Sequence, residues 1–101
     1  MAETLNLTGS LLIDMGRPQD AFDTYREALD IARTVGATLD EAHALEGAAR
    51  SQLALGAPDQ ALLLLQDAET LYRDLQAPAQ SNTAELLAII QHKMTDAPGG
   101  V

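Results

Sequence analysis

Apolar residues recur at helical spacing along almost the whole chain, and the breaks in that spacing coincide with Gly and Pro. Over residues 3 to 15, Leu5, Leu7, Leu11, Leu12 and Met15 form the first such run, which Gly16 stops. Pro18 then stands where the first turn of a helix tolerates it, because an N–H at that point would have no partner within the helix. Behind it, Ala21, Phe22, Tyr25, Ala28, Leu29, Ala32 and Val35 mark one face of a second helix, which Gly36 ends. The run Thr38-Leu39-Asp40-Glu41 predicts a capping box, with the Thr38 hydroxyl on the backbone N–H of Glu41 and the carboxylate reaching back. A third helix follows to about Leu55. Gly56 and Pro58 repeat the punctuation, and Ala61, Leu64, Leu65, Ala68, Leu71, Tyr72 and Leu75 line a fourth. After Pro78 a last helix spans about 78–95, with Ala84, Leu86, Leu87, Ala88, Ile89 and Ile90 giving it a broad apolar stripe. Residues 96–101, rich in Pro and Gly, are expected to be a flexible tail.

The punctuation is also a repeat. Gly16-Arg17-Pro18-Gln19-Asp20-Ala21 and Gly56-Ala57-Pro58-Asp59-Gln60-Ala61 share the frame Gly-x-Pro-x-x-Ala and start 40 residues apart. The same shift lays Leu5 on Leu45, Ala28 on Ala68 and Arg33 on Arg73. An internal period of this size signals a solenoid built from one supersecondary unit, here a helix pair. The pattern predicts an all-α domain over 1–95, with one repeat at about 3–36, a second at about 38–76, and the last helix capping the otherwise bare end of the stack.

Composition narrows the role. Hydrophobic residues make up 47% of the chain but aromatics only 3%, so Ala and Leu carry the core, in keeping with close helix contacts. The 15 acidic and 6 basic residues give a net charge of -9 and leave no Lys/Arg cluster, so direct nucleic-acid binding is not expected. The acidic balance also repels anionic lipid, no apolar run approaches a membrane span, and a cytoplasmic setting is expected. With no cysteine, disulfides and thiolate metal sites are excluded.

Small residues recur at one spacing in both units, Gly9, Ala21 and Ala28 in the first and Ala49, Ala61 and Ala68 in the second. This spacing resembles the three small positions of the tetratricopeptide repeat. Helices of a pair approach closely only where side chains are this small. Leu5, Leu12, Tyr25, Leu45 and Leu65 match the larger packing positions. The sequence departs from the family pattern in having Arg33 and Arg73 at the usual proline, Gln52 at a large position, and a period of 40 where about 34 is common. The longer period resembles repeats of large bacterial signal-transduction ATPases and actinomycete-type transcriptional regulators. The resemblance implies a right-handed solenoid that serves as a protein interaction module, with another protein or peptide as partner.

It also implies that the first helix of each pair lines a concave groove. Glu3, Asn6, Ser10 and Ile13 from the first unit, with His43, Glu46, Arg50 and Leu53 from the second, are then the expected partner-binding residues. The Lys and Asn pairs with which some members clamp a terminal carboxylate are absent there. Arg50 is the one strong cation of the set, suited to an acidic group on a partner, although an i, i+4 pair with Glu46 is the commoner fate of such an arginine. The other expectation is self-association through the apolar last helix, by Leu86, Leu87, Ile90 and Met94.

No catalytic frame is present: there is no phosphate-binding glycine loop after a strand and no nucleophile with a recognisable base. His43 and Glu46, flanked by Asp40 and Glu41, are too few for a divalent site, and a solvated acidic face accounts for them. No enzyme activity, metal or cofactor is expected.

Overall fold

The computed structural model describes residues 1–75 and 81–95, and within the last helix the side chains of 85–92. Its elements are α1 (Ala2–Asp14), α2 (Pro18–Val35), α3 (Thr38–Ala54), α4 (Pro58–Asp74) and α5 (Ser81–Thr95), with no strand among the described residues. Consecutive helices pack on one another, and α3 also touches α1 and α5, which makes it the central element. The Pro78 boundary and the tail lie outside the described residues, and α5 starts at Ser81.

The turns between paired helices repeat atom for atom. Gly16 and Gly56 have φ of 76° and 81°, left-handed values that a side chain would strain. At the first turn the Gly16 N–H donates to the Ile13 carbonyl at 3.0 Å and the Arg17 N–H to that of Leu12 at 2.8 Å. Forty residues on, Gly56 donates to Leu53 at 3.1 Å and Ala57 to Gln52 at 2.9 Å. These bonds satisfy carbonyls that the helix end would otherwise orphan. Pro18 and Pro58 then open α2 and α4 at the first helical position.

The capping box does not form. Ala37 holds the N-cap position of α3 without a side-chain cap, so Thr38 is already helical and the Glu41 N–H bonds the Ala37 carbonyl at 2.9 Å. The Gly36-Ala37 connection brings the end of α2 close, and the Glu41 carboxylate accepts from Arg33 Nε at 3.0 Å instead.

Burial carries the same period. In α2 the buried residues are Ala21, Tyr25, Ala28 and Ala32; in α4 they are Ala61, Leu65, Ala68 and Tyr72, the same four positions shifted by 40. Three clusters result, one on Ala21, Tyr25 and Ala48, one on Ala42, Leu45, Ala68 and Tyr72, and one on Ala49, Ala61, Leu65 and Ile90. Leu64 packs against all three.

Helix α1 departs from the expected pattern. Its buried residues are Ala2 and Gly9, whereas Leu7, Leu11 and Met15 stand 62–64% exposed. At the equivalent places 40 residues on, Gly47 and Ser51 are buried and Leu55 is less exposed, at 40%. The difference follows from position: α3 packs on α1, α2, α4 and α5, whereas the main neighbours of α1 are α2 and α3.

Candidate functional site

The first helices of the two pairs, α1 and α3, lie side by side and enclose a cleft of about 320 Å³. It is lined by Glu3, Asn6, Leu7 and Ser10 of α1, by Tyr25 of α2, and by Asp40, His43, Glu46, Gly47 and Arg50 of α3. Helical periodicity brings these residues together, because positions three and four apart share a face.

The floor of the cleft is the Tyr25 ring, held between two glycines. A Cβ built on Gly9 would stand 2.7 Å from Tyr25 Cε2 and Cζ, and one on Gly47 would collide with Cε1 and Cζ. Both helices therefore need a bare backbone where the ring passes. Burial pushes the Tyr25 phenol above its ordinary value near 10; the Arg50 guanidinium and the Ser10 side chain oppose the rise, and the Glu46 and Asp14 carboxylates add to it.

Along the walls, Asn6 ties α1 to α3 by donating from Nδ2 to the Asp40 carbonyl at 3.3 Å, while its Oδ1 is buried without a hydrogen-bond partner among the described residues. Glu46 is buried and accepts from the Tyr72 hydroxyl at 3.4 Å. Burial first, then the Glu46 charge and hydrogen bond, raise the Tyr72 phenol well above its ordinary value. The His43 ring lies tilted against Tyr72 with centroids 5.9 Å apart.

Among the described residues Arg50 forms no ion pair, and the anticipated link to Glu46 is absent because that carboxylate is directed at Tyr72. The remaining four arginines are engaged: Arg17 with Asp20 at 2.7 Å, Arg33 with Glu41 at 3.0 Å, Arg73 with Glu69 at 2.9 Å, and Arg26 over the Phe22 ring. Arg50 is half-buried in the cleft wall beside Tyr25.

Of the residues expected in the groove, Glu3, Asn6, Ser10, His43, Glu46 and Arg50 line the cleft. Ile13 and Leu53 do not. Ile13 packs on the Ala21, Tyr25 and Ala48 cluster, and Leu53 on the cluster around Ala49 and Leu65, because each sits in the last turn of its helix, where the chain bends back into its partner. Sequence reasoning passed over Leu7, Asp40 and Gly47 as lining residues and gave Tyr25 a packing role only. An isolated glycine inside a helical pattern was the available signal for Gly47.

The last helix uses its apolar stripe within the chain. Ile90 is fully buried on Ala49, Ala61 and Leu65, and Leu86 and Leu87 pack half-buried beside it, so these residues close the core. Ile89 is 44% exposed, and the Met94 side chain lies outside the described residues. No group of acidic and histidine side chains among the described residues is arranged to hold a metal ion.

Helix pairs repeating every 40 residues, stacked so that their first helices share a cleft, define a helical-repeat solenoid. A family model described as tetratricopeptide repeat matches residues 1–74, and the chain belongs to that family. Neither a curated protein nor a solved structure matches it significantly. Tetratricopeptide repeats are typically non-catalytic scaffolds that bind other proteins or peptides. No helix among the described residues is long and apolar enough to cross a membrane.

Proposed function

We propose that the chain is a protein interaction module that receives a segment of a partner protein in the cleft between α1 and α3, with an acidic side chain of that segment on Arg50. The observation that carries this reading is Arg50 itself: a half-buried guanidinium in a cleft wall, without an ion pair among the described residues, in a chain whose net charge is -9. A guanidinium presents a planar fork of donors matched to a carboxylate. Because the cleft walls are helices locked by the Tyr25 ring, little ordering cost falls on this side of the complex.

On this reading the module is the regulatory part of a bacterial signalling or transcriptional protein acting in the cytoplasm, a role supported by the resemblance of its 40-residue period. The test is selection of a random peptide display library on the immobilised chain, followed by amide chemical-shift mapping of the recovered peptides. Recovered sequences that share an Asp or Glu and shift Asn6, Ser10, Gly47 and Arg50 support the reading. Peptides without an acidic residue, or shifts confined to α4 and α5, refute it.

A further inference from the structure

The cleft is charged at both ends, with opposite signs. Glu3 and Asp40 stand where α1 and α3 begin, joined there by the Asn6 bond to the Asp40 carbonyl, and Arg50 stands with Ser10 a few turns further along. None of the three charged side chains forms an ion pair among the described residues. Their own chain leaves them apart for a geometric reason. Arg50 follows Asp40 by ten residues on one helix, so at about 1.5 Å rise per residue the charges are some 15 Å apart along the axis. Glu3 faces the level of Arg50 from seven residues before Ser10, about 10 Å away by the same rise. Between them lie Asn6, Gly47 and the Tyr25 ring, together with the Glu46 carboxylate, which accepts from the Tyr72 hydroxyl.

Resting on the reading of the cleft as a partner site, the geometry points to a dipolar ligand: a peptide segment with one basic side chain for Glu3 and Asp40 and one acidic side chain for Arg50, separated by about 10–15 Å. An extended chain covers that distance in three to five residues at about 3.3 Å each. A purely acidic segment meets Arg50 but leaves its other end against two carboxylates, and a purely basic one meets the carboxylates but abuts Arg50. Only the mixed segment neutralises both ends. The charge of the whole chain favours approach of the basic residue, and Arg50 fixes the register once it has arrived.

The probes are synthetic decapeptides of Ala, Ser and Leu with one Lys and one Glu at separations of one to seven residues, together with Lys-only and Glu-only versions. Each is titrated against the wild-type chain, Arg50→Glu, and the double variant Glu3→Gln with Asp40→Asn, by amide shifts. These side chains lie on the cleft surface, and unchanged helical circular dichroism verifies the fold of each variant.

The expected result is tightest binding at a separation of three to five. Loss of either peptide charge should weaken binding about twofold to fivefold, as for partly screened ion pairs. The double variant should lose sensitivity to the peptide Lys while keeping sensitivity to the Glu. If the Glu-only peptide binds as tightly as the mixed ones and the double variant leaves affinity unchanged, the dipolar inference is overturned while Arg50 recognition stands. If no peptide in the series shifts the cleft, or Arg50→Glu changes nothing, both the inference and the reading beneath it fail.

Discussion

Tyr25 shows how a single side chain fixes both the packing and the site. Its ring lies between Gly9 and Gly47, so it sets the spacing of α1 and α3 and at the same time floors the cleft between them. Gly47→Ala should therefore destabilise the fold. Overpacking costs about 1–3 kcal/mol, which outweighs the roughly 1 kcal/mol that Ala gains over Gly in a helix interior, because Gly9 blocks the ring's retreat on the other side. Denaturant titration should show the loss, and adding Tyr25→Leu should restore much of it, since Leu65 occupies the equivalent place in α4. The two tyrosines also set an alkaline limit. Their folded-state values lie above the unfolded value near 10, so the neutral phenols stabilise the fold fully below that pH, and the contribution is lost as pH rises through the folded values. Circular dichroism with phenolate absorbance should show the tyrosines ionising above pH 10 together with unfolding; phenolate appearing below pH 10 with the helices intact would contradict this. The sequence made the packing role of Tyr25 legible through its spacing to Ala21 and Ala28. Its second role was hidden, because the pairing of its ring with Gly47 depends on how two helices far apart in sequence meet.

At the scale of the helices, the boundaries were legible wherever backbone chemistry alone decides them. Gly16 with Pro18 and Gly56 with Pro58 end and start helices in the same way, with matching hydrogen bonds. The start of α3 was not, because Arg33 from the preceding helix competes for the Glu41 carboxylate that a capping box needs. That exposed pair contributes little, and Arg33→Ala should change stability by less than about 1 kcal/mol. Helix α5 is different in kind. Its residue Ile90 is fully buried on Ala49, Ala61 and Leu65, so Ile90→Ala should cost about 2–5 kcal/mol in thermal or denaturant unfolding. A cost near zero would mean that α5 does not close the core. Apolar spacing marked this stripe but not its destination, since a stripe facing a second copy and one facing α3 and α4 read alike. The exposed Leu7, Leu11 and Met15 ridge makes the same point for α1, where helical spacing identified an apolar face that no neighbour covers among the described residues.

For the whole molecule, the decisive property is the contrast between its net charge of -9 and the lone guanidinium in the cleft. Most of the cleft's lining was legible from the period, which set Asn6 and Glu46, or Ser10 and Arg50, on one face. Which charges are paired was not, because Glu46 is drawn off by Tyr72 from the neighbouring helix. Binding of a partner through Arg50 should weaken as salt rises, though less steeply than for a fully exposed pair, because the guanidinium is half-buried. The most direct test compares the affinity of a selected acidic peptide for the wild-type chain, Arg50→Glu and Arg17→Glu. The two variants change net charge equally, and Arg17 lies on the surface in a pair with Asp20. Arg50→Glu should lose at least tenfold in affinity while Arg17→Glu stays within about twofold, as expected for a local contact against a screened surface charge. Equal losses in both variants, or none in Arg50→Glu, would contradict it.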